Sequence, residues 1–483
     1  MIRTGEQYRE SIRDGREVYI DGKRVEDVTR HPMLKPLVDI RARIYDMAHD
    51  PATQETMTYQ DEGGERHAIA LKLPHSQDDW HDKRRATDAV LDDVGGIVTR
   101  VGDETIGEMW SLYDGQDVLN EVDPRFSSNI RRHIQRAIEL DPFHVSANTD
   151  PKGDRSKRPQ DQDPDMLLRV VKETDAGIVV RGAKYETAAA YANQAFTKPT
   201  IANWGEAEYS DYAVGFVCDL GSPNLKMICR TGFAGRGSID DYPLSNRFDE
   251  VDALVIFDDV LIPWENVLFY RHTRAAQFIR ATLHRYSAFA FVQRNLKLAD
   301  AMIGTALHNV RQTGLDGQQA VQEKLARLAC YREGVNAHLS ASIALAEPSP
   351  GGLLMPNQSL LYTGRVLACS QLHEMIHITR ELCGGQICVT PNAADFANPA
   401  TAPWLDKFYS VNEHWVADDR RRLLAYARDL LNSDYAGHRL TFQLFAQSPP
   451  FAHLQAVYRN FDFAGPLDFV RRAAGLSARV KGQ

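Results

Sequence analysis

Apolar residues recur at three- to four-residue intervals in the first part of the chain. Leu37, Ile40, Ile44 and Met47 mark one such run over 37–48, and similar runs cover 80–94 and 129–140. This spacing predicts amphipathic helices. Thr105, followed three residues later by Glu108 and then by Met109 and Trp110, has the form of a capping box opening a further helix. Between 142 and 270 the pattern changes. Short β-branched and aromatic runs at 176–180, 212–218, 226–229 and 253–257 are separated by Gly, Pro, Asn and Asp, which predicts strands joined by turns. The polar stretch 148–165, rich in Asp, Pro, Lys and Arg, reads as a long loop, and such loops in compact enzymes are often functional. Helical spacing returns after 271. Leu298, Met302, Ala306 and Val310 form one stripe, and Leu325, Leu328, Val335, Leu339 and Ile343 a second. Val366, Cys369, Leu372 and Ile376 form a third, on a single predicted helix over 365–382. Long amphipathic helices in succession make a bundle.

The order of elements predicts an α+β class: an N-terminal helical domain over 1–141, a central antiparallel β-domain over 142–270 and a C-terminal helical bundle over 271–483. Among 483 residues, 65 acidic side chains outnumber 56 basic ones, for a net charge of -9. An acidic balance argues against nucleic acid as a partner, although a local basic pocket for an anionic cofactor is compatible with it. The first fifty residues carry no apolar targeting segment, and no run is long and apolar enough to span a membrane. The expectation is a cytoplasmic protein whose six scattered cysteines stay reduced.

Three long runs carry a resemblance. They are YRESIRDGREVYIDGKRVEDVTRHP at 8–32, KETDAGIVVRGAK at 172–184 and YPLSNRFDEVDALVIFDDVLIPWENVLFY at 242–270. The first resembles the opening of the 4-hydroxyphenylacetate 3-monooxygenase oxygenase family, whose fold is acyl-CoA dehydrogenase-like. The other two resemble that family's entry into and exit from its β-domain. In the last run Pro263 fixes φ and ends a strand, and Trp264 supplies a large apolar anchor, as a joint between domains requires.

The resemblance implies the oxygenase component of a two-component monooxygenase. Such a component uses FAD as FADH2, with O2, to hydroxylate a small aromatic, a phenol by expectation, through a flavin C4a-hydroperoxide. A phenolic substrate needs a group that takes its proton, and histidine suits that task near neutral pH. His144, within DPFHVSAN, stands where the family places its substrate histidine. Asn148, Thr149, Asp150 and Arg155 resemble the segment that lies along the flavin, with Arg155 suited to the pyrophosphate. Thr187 and Thr200 stand where the family has flavin and substrate contacts. Gly384 and Gly385 match a turn that touches the flavin, often from a neighbouring subunit. The chain departs from the family at Gly102 to Gly107. Asp103 occupies the position of a substrate-holding Arg and Gly107 that of a Tyr, so a substrate different from 4-hydroxyphenylacetate is expected, with Asp103 beside it. No strand–GxGxxG–helix unit is present, so a separate NAD(P)H:flavin reductase is implied. The resemblance also implies a homotetramer or dimer.

Four other readings compete. His373, Glu374 and His377 spell HExxH, but Arg380 replaces the glycine of the extended zinc motif, and no metal is expected. A dehydratase branch of the same fold holds an iron–sulfur cluster on closely spaced N-terminal cysteines, and here the first cysteine is Cys218. An acyl-CoA dehydrogenase-type oxidase or dehydrogenase and a non-catalytic flavin-fold binding protein remain as alternatives.

Overall fold

The computed structural model describes residues 2–98, 104–199, 207–276, 284–446 and 450–476. Helices come first. Lys35–Met47 starts with a proline in its first turn and buries Leu37, Val38, Ala42, Ile44, Tyr45 and Met47. Gln77–Val94 is opened by a capping box between Ser76 and Asp79 and closed by Gly95 in the left-handed conformation, φ 69°. Thr105 and Glu108 play a different part from the predicted cap. They lie inside the helix Glu104–Asp114, with both side chains buried. The i, i+3 spacing that suits a cap also places two residues on one helix face, and here that face meets the β-domain.

The β-domain is two packed sheets. A six-stranded sheet runs in the order Lys23–Arg24, Glu17–Ile20, Leu225–Cys229, Asp252–Pro263, Gly177–Thr187 and Arg169–Thr174. A four-stranded sheet runs Val267–Tyr270, Val214–Asp219, Gln194–Thr197, His144–Ala147. Phe216 of one meets Phe257 of the other edge-on, ring centres 5.9 Å apart. Pairing is mostly antiparallel. Glu17–Ile20 adds parallel to Leu225–Cys229, and His144–Ala147 parallel to Gln194–Thr197. The N-terminal region is therefore helical apart from a strand pair lent to the central sheet and a hairpin of its own, Thr58–Gln60 with Arg66–Ala68.

Trp264 fastens the domains. Its indole nitrogen donates to the Thr174 carbonyl at 3.0 Å, and Asn129, on the helix Pro124–Leu140, donates to the carbonyls of Trp264 and Val267 at 2.7 Å each. The bundle is built around the 29-residue helix His284–Gln312, which packs on Gln319–Ala344, Gln358–Ser370 and Leu372–Cys383. The predicted helix 365–382 is interrupted at Gln371. Cys369 and Leu372 remain buried on either side, so the apolar stripe crosses the interruption and the periodicity does not reveal it. Asp429 and Arg439 tie the bundle to the segment before the strand Asp252–Pro263: Asp429 accepts from Leu244 and Ser245, and Arg439 pairs with Glu250 at 2.6 Å.

Candidate active site

The strand His144–Ala147 and the residue after it alternate faces. His144, Ser146 and Asn148 share the side that receives the helices Glu104–Asp114 and Pro124–Leu140. Parallel pairing to Gln194–Thr197 brings Gln194, Phe196 and Lys198 to the same side.

His144 is 6% exposed and its Nε2 lies 3.1 Å from Nε2 of His133. The Pro142 carbonyl and the Gln194 side chain also hydrogen-bond its ring. Burial, then the neighbouring His133, pushes its pKa well below the usual value. Burial, with Arg136 nearby, pushes His133 down to about 4. Both rings are therefore neutral in the fold, whereas unfolded histidines titrate near ~6.5. Below that pH the unfolded chain binds more protons, so the stability owed to this pair is fully present above pH ~6.5. It is lost as pH falls from there toward about 4. A His133→Asn variant is expected to show a shallower fall in melting temperature than the parent across this window. Parallel curves would show that the pair does not set the pH dependence.

Two residues further along the strand, the Ser146 hydroxyl donates to Glu108 Oε2 at 2.8 Å and lies 3.2 Å from Thr105 Oγ1. The same Glu108 oxygen accepts from Lys198 Nζ at 3.0 Å and from Asn148 Nδ2 at 3.3 Å. The Asn148 side-chain oxygen, Oδ1, is buried with no hydrogen-bond partner among the described residues. Beside this network Lys184, 2% exposed, holds the next part of the chain. It pairs with Asp150 and donates to the carbonyls of Asn148, at 3.3 Å, and Lys198, at 3.1 Å. The Thr149 carbonyl accepts from the Tyr185 amide at 2.7 Å. Beyond it the chain opens into a cleft of about 320 Å³ lined by residues that include Asp150, Lys152, Gly153, Arg155, Lys157 and Gln162. Arg155 is exposed there and has no ion-pair partner among the described residues. A cleft with three cationic side chains suits an anionic pyrophosphate, and the unpartnered amide oxygen of Asn148, two residues before Asp150 in the chain, suits a ring N–H. The residues present thus fit a flavin.

The sequence-predicted residues are distributed unevenly. Asn148, Thr149, Asp150 and Arg155 follow the strand in one continuous segment. Thr187 is at the end of its strand, donating to Asp252 at 2.6 Å. Gly384 and Gly385 end the helix Leu372–Cys383, where open space surrounds both Cβ positions, and Gly384 has φ 69°. Within one chain that turn belongs to the bundle. Asp103 and Thr200 lie outside the described residues. The HExxH side chains are occupied elsewhere: Glu374 faces Arg327, and His377, largely exposed, faces Glu381. Ser146, Lys184 and Lys198 were not singled out from the sequence, and Glu108 was read only as part of a helix cap. Ser146 was within reach of strand alternation from His144. Lys198 carries a weaker signal, a lysine directly after the strand Gln194–Thr197.

The family description "4-hydroxyphenylacetate 3-hydroxylase N terminal" matches residues 4–269, and its C-terminal counterpart matches 273–475. The chain belongs to the 4-hydroxyphenylacetate 3-hydroxylase family. It is 32% identical over 451 residues to the oxygenase component of 4-nitrophenol 2-monooxygenase from Rhodococcus sp, a match spanning 91% of this chain and 85% of that protein. It superposes on the crystal structure of a 4-hydroxyphenylacetate 3-monooxygenase oxygenase component complexed with FAD and 4-hydroxyphenylacetate. That match has a TM-score of 0.91 at 28% identity and covers 98% of each chain. An archaeal 4-hydroxybutyryl-CoA dehydratase from N. maritimus matches with a TM-score of 0.90 at 22% identity, covering 100% of this chain and 96% of that one. That likeness speaks for the fold alone.

Proposed function

We propose that the 320 Å³ cleft beside Asn148 is the flavin site of an oxygenase component, and that the chain hydroxylates a phenol. The protein is an FADH2-dependent aromatic monooxygenase of the 4-hydroxyphenylacetate 3-hydroxylase family. The observation that carries the flavin assignment is the coincidence of cationic Lys152, Arg155 and Lys157 with the unpartnered Asn148 oxygen on one continuous segment. Bound FADH2 supplies the activation of O2. The chain's own residues bind and orient. Arg155 meets the pyrophosphate, Asn148 the ring edge, and Lys184 fixes both through the backbone. The buried network around Ser146 excludes water from the substrate. His144 acts from behind this layer, through the strand that it anchors to His133. A separate NAD(P)H:flavin reductase delivers FADH2, which places the enzyme in the cytoplasm beside a supply of nicotinamide cofactor.

A second copy of the chain covers the C-terminal helices. Pro450–Asn460 and Ala464–Ala473 leave Phe451, Leu454, Tyr458, Leu467, Phe469 and Val470 exposed, and apolar side chains gathered on two neighbouring helices suit a protein–protein contact. Light scattering is expected to give a dimer or tetramer.

The test of the activity uses the purified chain, FAD, NADH and an added flavin reductase under ¹⁸O₂, with a panel of substituted phenols. Label is expected in a hydroxylated product only when reductase is present. NADH oxidation by the chain alone, or unlabelled product, would overturn the reading. Arg155→Ala is expected to weaken FAD binding about 10- to 100-fold, the range of a charge-assisted contact, as read by quenching of flavin fluorescence. An unchanged affinity would place the pyrophosphate elsewhere.

A further inference from the structure

The Lys198 ammonium is 1% exposed. It has three N–H donors, and among the described residues its hydrogen-bonding acceptor is one oxygen of Glu108, at 3.0 Å. The Phe196 ring centre lies 5.4 Å from Nζ. A buried ammonium with one accepting carboxylate retains donors for an anionic oxygen. Its surroundings hold it in place. Glu108, on the helix Glu104–Asp114, is fixed in turn by Ser146 and Asn148, and the Lys198 carbonyl is held by Lys184. Ser146 and His144 occupy the same strand face, but the His144 ring is spent on His133, Gln194 and Pro142. Lys198 therefore offers the substrate a charged donor where His144 offers none. Through Asn148 and Lys184 it also adjoins the segment assigned to the flavin.

We propose that Lys198 holds the phenolate oxygen of the aromatic substrate, with Glu108 and Ser146 as the residues that position its ammonium. This rests on the monooxygenase reading above. The phenol ionises in bulk water and enters as the phenolate, and no covalent bond to the protein forms. Five other polar groups face or surround the ammonium: Thr105 on the helix, Asn148 and Asp150 on the segment assigned to the flavin, and Lys184 and Glu186 on the strand Gly177–Thr187. Burial lowers the Lys198 pKa, Glu108 opposes that, and Lys184 and Glu186 act in opposite directions. A bound phenolate supplies a second anionic partner and favours the charged lysine. The arrangement selects phenols that ionise readily, because an ammonium near the oxygen stabilises the anion over the neutral form.

The test uses 4-nitrophenol, whose phenolate is yellow, titrated with pH on the FAD-loaded full chain. The parent is expected to bind it with an ionisation shifted about one unit below that of the free dye. Lys198→Arg is expected to keep that shift. Lys198→Met leaves Glu108 buried without its cation, so the Glu108→Gln/Lys198→Met double variant is measured beside it as the charge-balanced partner. In the double variant, verified as folded by its melting curve and FAD binding, the shift is expected to vanish and the affinity for the phenolate to fall about tenfold or more. A folded double variant that binds the dye with the parent's shift overturns the assignment while leaving the monooxygenase reading intact. Failure of the parent to bind any member of the phenol panel overturns both.

Discussion

Lys184→Met is expected to destabilise the protein by about 3–5 kcal/mol, the range for removing one partner of a buried ion pair. The side chain satisfies three acceptors at once: the Asp150 carboxylate and the carbonyls of Asn148 and Lys198. Without it, a carboxylate that is 7% exposed loses its cation, and two strand ends lose their common tie. Chemical denaturation should register the loss. FAD affinity should fall with it, because Asp150 leads directly into the cleft that contains Arg155. The Asp150→Asn/Lys184→Met pair removes both charges, and is expected to recover most of the stability but not the FAD affinity. A single variant as stable as the parent would mean that the Asp150 segment relaxes into water, and the rigid flavin segment described above would be wrong.

The second large effect lies at the joint between bundle and β-domain. Asp429 is fully buried and accepts from the backbone amides of Leu244 and Ser245, at 2.7 and 2.8 Å, and from the Ser245 hydroxyl at 2.5 Å. Asp429→Ala would leave those donors in a dry interior, with a loss of about 3 kcal/mol or more. Asp429→Asn keeps one acceptor oxygen, and its loss should be about half as large. The melting temperatures of the two variants check this order. Equal losses would mean that charge matters less than cavity formation. The FAD cleft is built on a different part of the β-domain, so flavin affinity should move less here than in Lys184→Met.

Much of the fold was legible in the chain. Helical spacing around Leu37 and Leu298 and the turn-bounded runs near Val255 correspond to the helices Lys35–Met47 and His284–Gln312 and the strand Asp252–Pro263. The long loop after the strand His144–Ala147 was legible too, because a charged, proline-containing run has a composition of its own; its assignment to the flavin comes from the resemblance and is a proposal. Other features were not. Thr105 and Glu108 have the spacing of a helix cap, and that spacing is the same whether the pair faces the solvent at a helix start or a strand across a domain boundary. The break at Gln371 leaves the apolar stripe intact. Residues 17–24 join a sheet whose next strand is about two hundred positions away in the chain, a pairing with no local signature.

By itself, then, the sequence determined the class, the order of helices and strands and the family, because burial imposes a period on each element and long matched runs carry the rest. The tertiary structure decided which polar side chains meet. It joined His144 to His133 and gave Glu108 to Ser146, Asn148 and Lys198. A lysine and a glutamate ninety positions apart become a buried pair only when a helix and a strand close over them, because the attraction between charges depends on their separation in space and on the exclusion of water.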